Sequence, residues 1–139
     1  MSLAVDDSTL LGRFTLSPYV RMAIELGGQA DGGAGEGIYF ELGVEPGLSL
    51  EGTPVSLSFP VTFGLSMANY YETSPGESDT FGYVDLGLLA SVGLPVSESY
   101  GVWEVSGGIH LLSLGDALTT YNNDDGFQAV GIFGLNIGY

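Results

Sequence analysis

The chain has no lysine, no cysteine and few charges of any kind. Arg13 and Arg21 are its only cations, set against 17 carboxylates, for a formal net charge of −15. Phosphate backbones are held by clustered Lys and Arg, so nucleic acid is excluded as a partner. Anionic lipid headgroups are repelled as well, unless divalent cations bridge them. Without cysteine there is neither a disulfide framework nor a thiolate metal site. Charged residues make up 14% of the 139 residues, where a soluble domain carries about 25%. No apolar run approaches the roughly 20 residues of a transmembrane helix, so a helical membrane protein is excluded. Residues 1–7 carry neither the basic start nor the apolar centre of a signal peptide. For an exported protein, the expectation is that the native leader has been removed.

What is present is alternation with a period of two, the signature of strands with one apolar face. In residues 13–26, Phe14, Leu16, Val20, Met22, Ile24 and Leu26 share a face; Thr15, Ser17, Tyr19, Arg21, Ala23 and Glu25 share the other. The pattern recurs in residues 38–50, 55–67, 81–96, 100–114 and 127–139. Only Leu89 interrupts it in 81–96, among Leu86, Leu88, Ala90 and Val92. Residues 2–5 are a short seventh candidate before Asp6-Asp7-Ser8. Each of the six long segments exceeds the usual soluble strand and can cross a bilayer at a tilt, which takes about 9–11 residues. The division expected is one domain: an N-terminal segment, residues 1–12, with a partial strand and a turn, and a six-strand meander over residues 13–139.

The connections alternate in length. Residues 27–37, 72–79 and 115–126 are long; 51–54 and 97–99 are short. Long loops on one side and tight turns on the other are the asymmetry of bacterial outer-membrane barrels. Pro18, Pro46, Pro60 and Pro95 fall in or near strands, where each removes a ladder donor; bulges or edges are expected there. The polar face decides the solvent. A soluble sheet shows Lys, Glu, Arg and Thr outside, but here that face is mostly Gly, Ser and Tyr. Small residues suit the interior of a narrow barrel, and the uniform aliphatic face suits lipid. Trp103, Phe14, Phe127 and Tyr139 near strand ends would form aromatic girdles.

The chain ends on Phe133-Gly134-Leu135-Asn136-Ile137-Gly138-Tyr139. With the strand rhythm of residues 13–139, this ending resembles that of the small bacterial outer-membrane β-barrel proteins. Gly134, Ile137 and the terminal aromatic Tyr139 match the C-terminal signal that the barrel-assembly machinery reads in that group; Ile132 stands where the signal has a polar residue. The resemblance implies an all-β, antiparallel up-and-down transmembrane barrel in the outer membrane of a Gram-negative envelope. It also implies membrane lipid or detergent, and the assembly machinery, as partners.

Closed single-chain barrels have an even number of strands, from eight upward. Six strands are too few, and a strand at residues 2–5 would run in the same direction as the last. The sequence therefore predicts six to eight long strands that do not close as a monomer, completed by an N-terminal strand or by a homo-oligomer.

A polar network is expected in the lumen: Arg21, Glu25, Glu41, Glu45, Asp85, Glu104 and His110. Its bland reading is structural pairing around Arg21, because an unpaired buried charge is costly. Its sharper reading is a cation path. His110, Ser106 and Glu104 share a face, but nothing marks an oxyanion hole, and Ser113 faces the opposite way. No catalytic residue, cofactor or metal site is assigned. Residues 121–126 offer oxygens without EF-hand spacing, residues 72–79 read as a solvated turn, and the glycines of 27–35 as a flexible hairpin loop with no phosphate-cradling helix after it. The function expected is a non-enzymatic barrel, structural or surface-exposed, with minor transport at most. The alternatives are a narrow cation-preferring channel, porin-like in kind, and a soluble β-barrel or sandwich that binds an apolar ligand.

Overall fold

A computed structural model describes residues 1–5, 7, 14–25, 36–74 and 77–138. The chain is all-β, built on one antiparallel sheet. The strands are β1 (Ser2–Ala4), β2 (Phe14–Thr15), β3 (Tyr19–Ile24), β4 (Ile38–Val44), β5 (Gly47–Ser49), β6 (Val55–Ser58), β7 (Val61–Ala68), β8 (Tyr71–Ser74), β9 (Glu77–Asp79), β10 (Phe81–Gly93), β11 (Val102–Leu114) and β12 (Phe127–Gly138).

Several of these are halves of longer strands. β10 pairs with β7 through Leu86↔Val61 and with β6 through Leu89↔Ser58, in one unbroken register. β2–β3 against β4–β5, and β4–β5 against β6–β7, keep register in the same way. The interruptions fall at Pro18, Pro46 and Pro60. Each proline lacks the ladder donor but keeps its acceptor: Val5 N–H donates to Pro18 O at 3.0 Å, Phe59 N–H to Pro46 O at 2.9 Å and Gly87 N–H to Pro60 O at 2.7 Å. The expected bulges are therefore absent at these prolines. The register shifts instead at Ile38/Tyr39 and Phe81/Tyr83. At the first interruption, Ser17 takes φ 45° and the side chain of Asp7 accepts from Leu16 N–H at 2.7 Å and Ser17 N–H at 3.1 Å.

The result is a seven-strand meander in chain order: β1, β2–β3, β4–β5, β6–β7, β10, β11, β12. The tight turn at 51–54 needs Gly52 at φ 74°. A 3₁₀ turn, Glu98–Tyr100, leads into β11. Two connections read as loops contain structure. Residues 72–79 are not a solvated turn: β8 and β9 form a hairpin there, and Tyr71 and Glu72 are buried. Residues 115–126 hold a helix, α1 (Asp116–Tyr121), whose Ala117 is fully buried. Asp79 accepts from Ala117 N–H at 2.9 Å and Glu72 O from the Tyr121 hydroxyl at 2.6 Å, so hairpin and helix pack as one cap.

Among the described residues the sheet does not close into a barrel, as the strand count led us to expect. Among the described residues β1 pairs only with β3, and β12 only with β11. Both edge strands run in the same direction, so they cannot join as an antiparallel pair. The sheet does curl. A row of paired residues crosses it from Thr15 through Gly47, Ser58, Leu89 and Gly108 to Ile132, and the two ends of that row border one cavity.

Burial is inverted relative to a soluble fold. Among the described residues the buried apolar ones are Tyr71 and Ala117, while Asp7, Glu41, Ser66 and Glu72 are buried. The apolar positions Leu42, Phe63, Leu86, Leu88, Ile109 and Leu135 are exposed along the other face.

Candidate functional site

The polar face of the sheet is the candidate site. Its loop-side half is filled by tyrosines. Tyr19 lies over Gly43 and Tyr83 over Gly64, and a Cβ at either glycine would collide with the ring. Tyr71 covers Gly82 in the same way. Gly43, Gly64 and Gly82 are thus sockets for tyrosine rings. The rings then bond across strands: the Tyr19 hydroxyl meets Thr62 Oγ1 at 2.9 Å, and the Tyr39 hydroxyl meets that of Tyr83 at 2.9 Å. Tyr39, Tyr70 and Tyr71 pack with ring centroids 5.0, 5.2 and 6.4 Å apart, within the range of favourable aromatic pairs. Tyr71 lies in the hairpin; burial above all, then Tyr83, Tyr70 and Glu41, pushes its phenol above the ordinary value.

Glu41 sits at the base of this layer, only 6% exposed. Its carboxylate accepts from the Tyr39 hydroxyl at 2.5 Å and the Tyr83 hydroxyl at 3.2 Å, and pairs with Arg21 at 3.2 Å. Arg21 reaches in from a largely exposed position and also lies 5.9 Å from the Tyr19 ring centroid. A buried carboxylate with two phenol donors and a guanidinium is a satisfied structural charge.

The seven network residues expected from the sequence do not form one network. Arg21 and Glu41 pair as described. Asp85 and His110 pair separately, Nδ1 lying 2.8 Å from the nearer carboxylate oxygen. Glu104 accepts from the Ser91 hydroxyl at 3.2 Å. Glu25 accepts from Gly37 N–H at 2.9 Å, holding the end of the β3–β4 pairing. Glu45 borders the cavity. Arg13, Tyr139 and most of the 27–37 loop lie outside the described residues; Gly134 and Ile137 lie in β12 on opposite faces. No serine hydroxyl bonds to His110 among the described residues; Asp85 occupies its Nδ1, and Ser106 faces the cavity instead.

Below the tyrosines, on the tight-turn side, the polar face opens into a cavity of about 400 Å³. Ser49, Ser56, Ser58, Ser91 and Ser106 line it with Glu45 and Glu104, and Leu48, Leu57, Leu89, Ala90 and Ile132 are its apolar lining residues. Leu89, the exception in the alternation, points to this polar face and packs beside Gly108. Among the described residues no group of three or more His, Asp or Glu could hold a metal ion. In residues 121–126 the oxygens serve the turn: Asp125 accepts from Phe127 N–H at 3.0 Å and from Gln128 at 3.1 Å, and Asn122 donates to Asp125 O at 2.7 Å.

No protein-family model, curated protein or solved structure matches the chain.

Proposed function

We propose that this chain is the wall of a transmembrane β-barrel in a bacterial outer membrane, with a structural or surface-display role rather than an enzymatic one. The observation that carries the reading is the inverted burial. A sheet that buries Glu41 and Ser66 while leaving Leu86, Leu88 and Phe63 exposed has no apolar core to hold it together in water. In hydrocarbon the same aliphatic face is solvated and the polar face is sheltered. The loops fit this arrangement: the hairpin and α1 lie on one side, tight turns on the other.

The interior favours the structural role over conduction. A cation path needs an open route, and the tyrosine layer around Glu41 fills one half of the polar face.

Flotation tests the reading. The chain, diluted from denaturant into phosphatidylcholine vesicles, is expected to rise with the lipid in a density gradient and to precipitate without lipid or detergent. A monodisperse chain in detergent-free buffer that stays below the vesicles would overturn it.

A further inference from the structure

Glu41 and its two phenols lie in the middle of the sheet, on β4 and β10, so neither β1 nor β12 contributes to them. The two carboxylate oxygens have different partners. Arg21 lies 3.2 Å from Oε1, while both phenols aim at Oε2, Tyr39 at 2.5 Å and Tyr83 at 3.2 Å. The Tyr39 distance is at the short end for a hydroxyl donating to a carboxylate. The Tyr39 oxygen also lies 2.9 Å from the Tyr83 hydroxyl. The Tyr39 ring packs against Tyr70 with centroids 5.0 Å apart, and Tyr70 against Tyr71 at 5.2 Å, a stack that ends in β8. Other phenols end differently. The Tyr19 hydroxyl meets that of Thr62, and Tyr121 donates to the Glu72 carbonyl; neither partner is a base. The chain has no cysteine, and the ring N–H of its one tryptophan, Trp103, also donates to a carbonyl, that of Tyr100.

We infer that Tyr39, with Glu41 as its proton acceptor, is a redox-active tyrosine: the residue from which a one-electron oxidant most readily takes an electron from this chain. A phenol that loses an electron becomes a strong acid, and in water the reaction is slow because water is a weak base. At Tyr39 the base is already in line, and a positioned base speeds proton transfer by about 10²–10⁴-fold. One electron passes from the ring to the oxidant, which is reduced by one electron. The phenolic O–H bond breaks in the same step, and the proton moves to Oε2 of Glu41. The products are a neutral phenoxyl radical and a protonated carboxyl group. The radical oxygen accepts from the Tyr83 hydroxyl, already within bonding distance. Arg21 loses its counter-charge, which water replaces, because its side chain is 58% exposed. A reductant that returns one electron draws the proton back, so no atom is lost over the cycle. Tyr70 and Tyr71 offer the electron a stacked route between Tyr39 and the hairpin. The inference goes beyond the membrane reading and holds whichever solvent meets the aliphatic face.

Flash oxidation tests this. The probe is tris(bipyridyl)ruthenium, photo-oxidised in the presence of the full chain in neutral detergent micelles, with the phenoxyl absorbance followed after the flash. A phenol exposed to water reacts through its phenolate, whose fraction rises about tenfold per pH unit up to about pH 10. Tyr39 carries its own acceptor and is expected to give a phase whose rate is flat between about pH 7 and pH 9, above the usual titration of histidine. The charged and titratable groups around Glu41 are Arg21 and Tyr19 from β3, Tyr39 on β4, Tyr71 from β8 and Tyr83 from β10; Asp85, two residues beyond Tyr83, is paired with His110. At pH 7 the wild-type phase is expected to be at least about tenfold faster than any phase in Tyr39→Phe or Glu41→Gln, and to be unchanged in Tyr121→Phe. Far-UV circular dichroism shows whether each variant is folded; where one is not, the wild-type pH profile decides alone. A wild-type rate that climbs with pH as a solvated phenol does, or a flat phase that survives in folded Tyr39→Phe or Glu41→Gln, would overturn the inference.

Discussion

Replacing Tyr39 by phenylalanine removes one oxygen from the most enclosed charge in the sheet. That hydroxyl donates to Glu41 at 2.5 Å and touches the Tyr83 hydroxyl at 2.9 Å. A hydrogen bond to a charged group contributes about 1.5–3 kcal/mol, and leaving a buried acceptor short of a donor adds to the loss. Glu41 keeps Tyr83 at 3.2 Å and Arg21 at 3.2 Å. Because the Arg21 side chain is 58% exposed, solvent screening holds its pairing to about 1 kcal/mol or less, too little to compensate. The expected destabilisation for Tyr39→Phe is about 2 kcal/mol, the middle of the charged-bond range. Glu41→Gln keeps the shape and removes the charge, so in a double-mutant cycle the two changes couple by about 1–2 kcal/mol. The assay is urea unfolding of the vesicle-inserted chain, followed by Trp103, the only tryptophan. Additivity within about 0.5 kcal/mol would refute the view that the Tyr39 hydroxyl and Glu41 act as a unit.

Gly64→Ala places a methyl group where the Tyr83 ring lies and is expected to cost about 1–3 kcal/mol in the same titration; a neutral result would mean the ring is free to leave its socket. Leu88→Lys puts a charge on the aliphatic face and is expected to cost about 2–4 kcal/mol in vesicles, whereas Ser91→Lys, beside Glu104 on the polar face, costs less; equal costs would contradict the assignment of faces. Tyr121→Phe loses the bond to Glu72 O and is expected to cost about 1 kcal/mol, seen as faster amide exchange in α1 and the β8–β9 hairpin but not in β11.

Much of the sheet was legible because period two is a local property. Each long segment alternates over enough residues to fix its two faces, and the expected assignment of Arg21, Glu41, Asp85, Glu104 and His110 to one face agrees with their pairings. β1 was legible for the same reason. Other features depend on partners far along the chain. The six-residue helix α1 has no apolar period; it is held by Asp79, 38 residues earlier. The hairpin of β8 and β9 hides among polar residues whose backbone pairing does not need apolar alternation. The division of the polar network into separate pairs depends on stagger between strands, which no single segment encodes. The tyrosine layer could have been suspected from one signal: glycines and tyrosines recur on the same face, and a ring there needs a neighbour without a side chain. Pro18, Pro46 and Pro60 look like breaks in sequence, yet each keeps a carbonyl in the ladder, so the register passes through them.

The claim on which the rest depends is that the aliphatic face meets lipid, and cysteine-scanning spin labelling of residues 86–93 tests it most directly. The chain lacks native cysteine, so one nitroxide at a time can be placed along β10 in vesicles. Labels at Leu86, Leu88, Ala90 and Val92 are expected to be relaxed by oxygen dissolved in the bilayer and shielded from a water-soluble nickel chelate. Labels at Gly87, Leu89, Ser91 and Gly93 are expected to show less oxygen contact, giving an oscillation with a period of two. A flat profile, or nickel contact peaking at the even-numbered positions, would contradict the account.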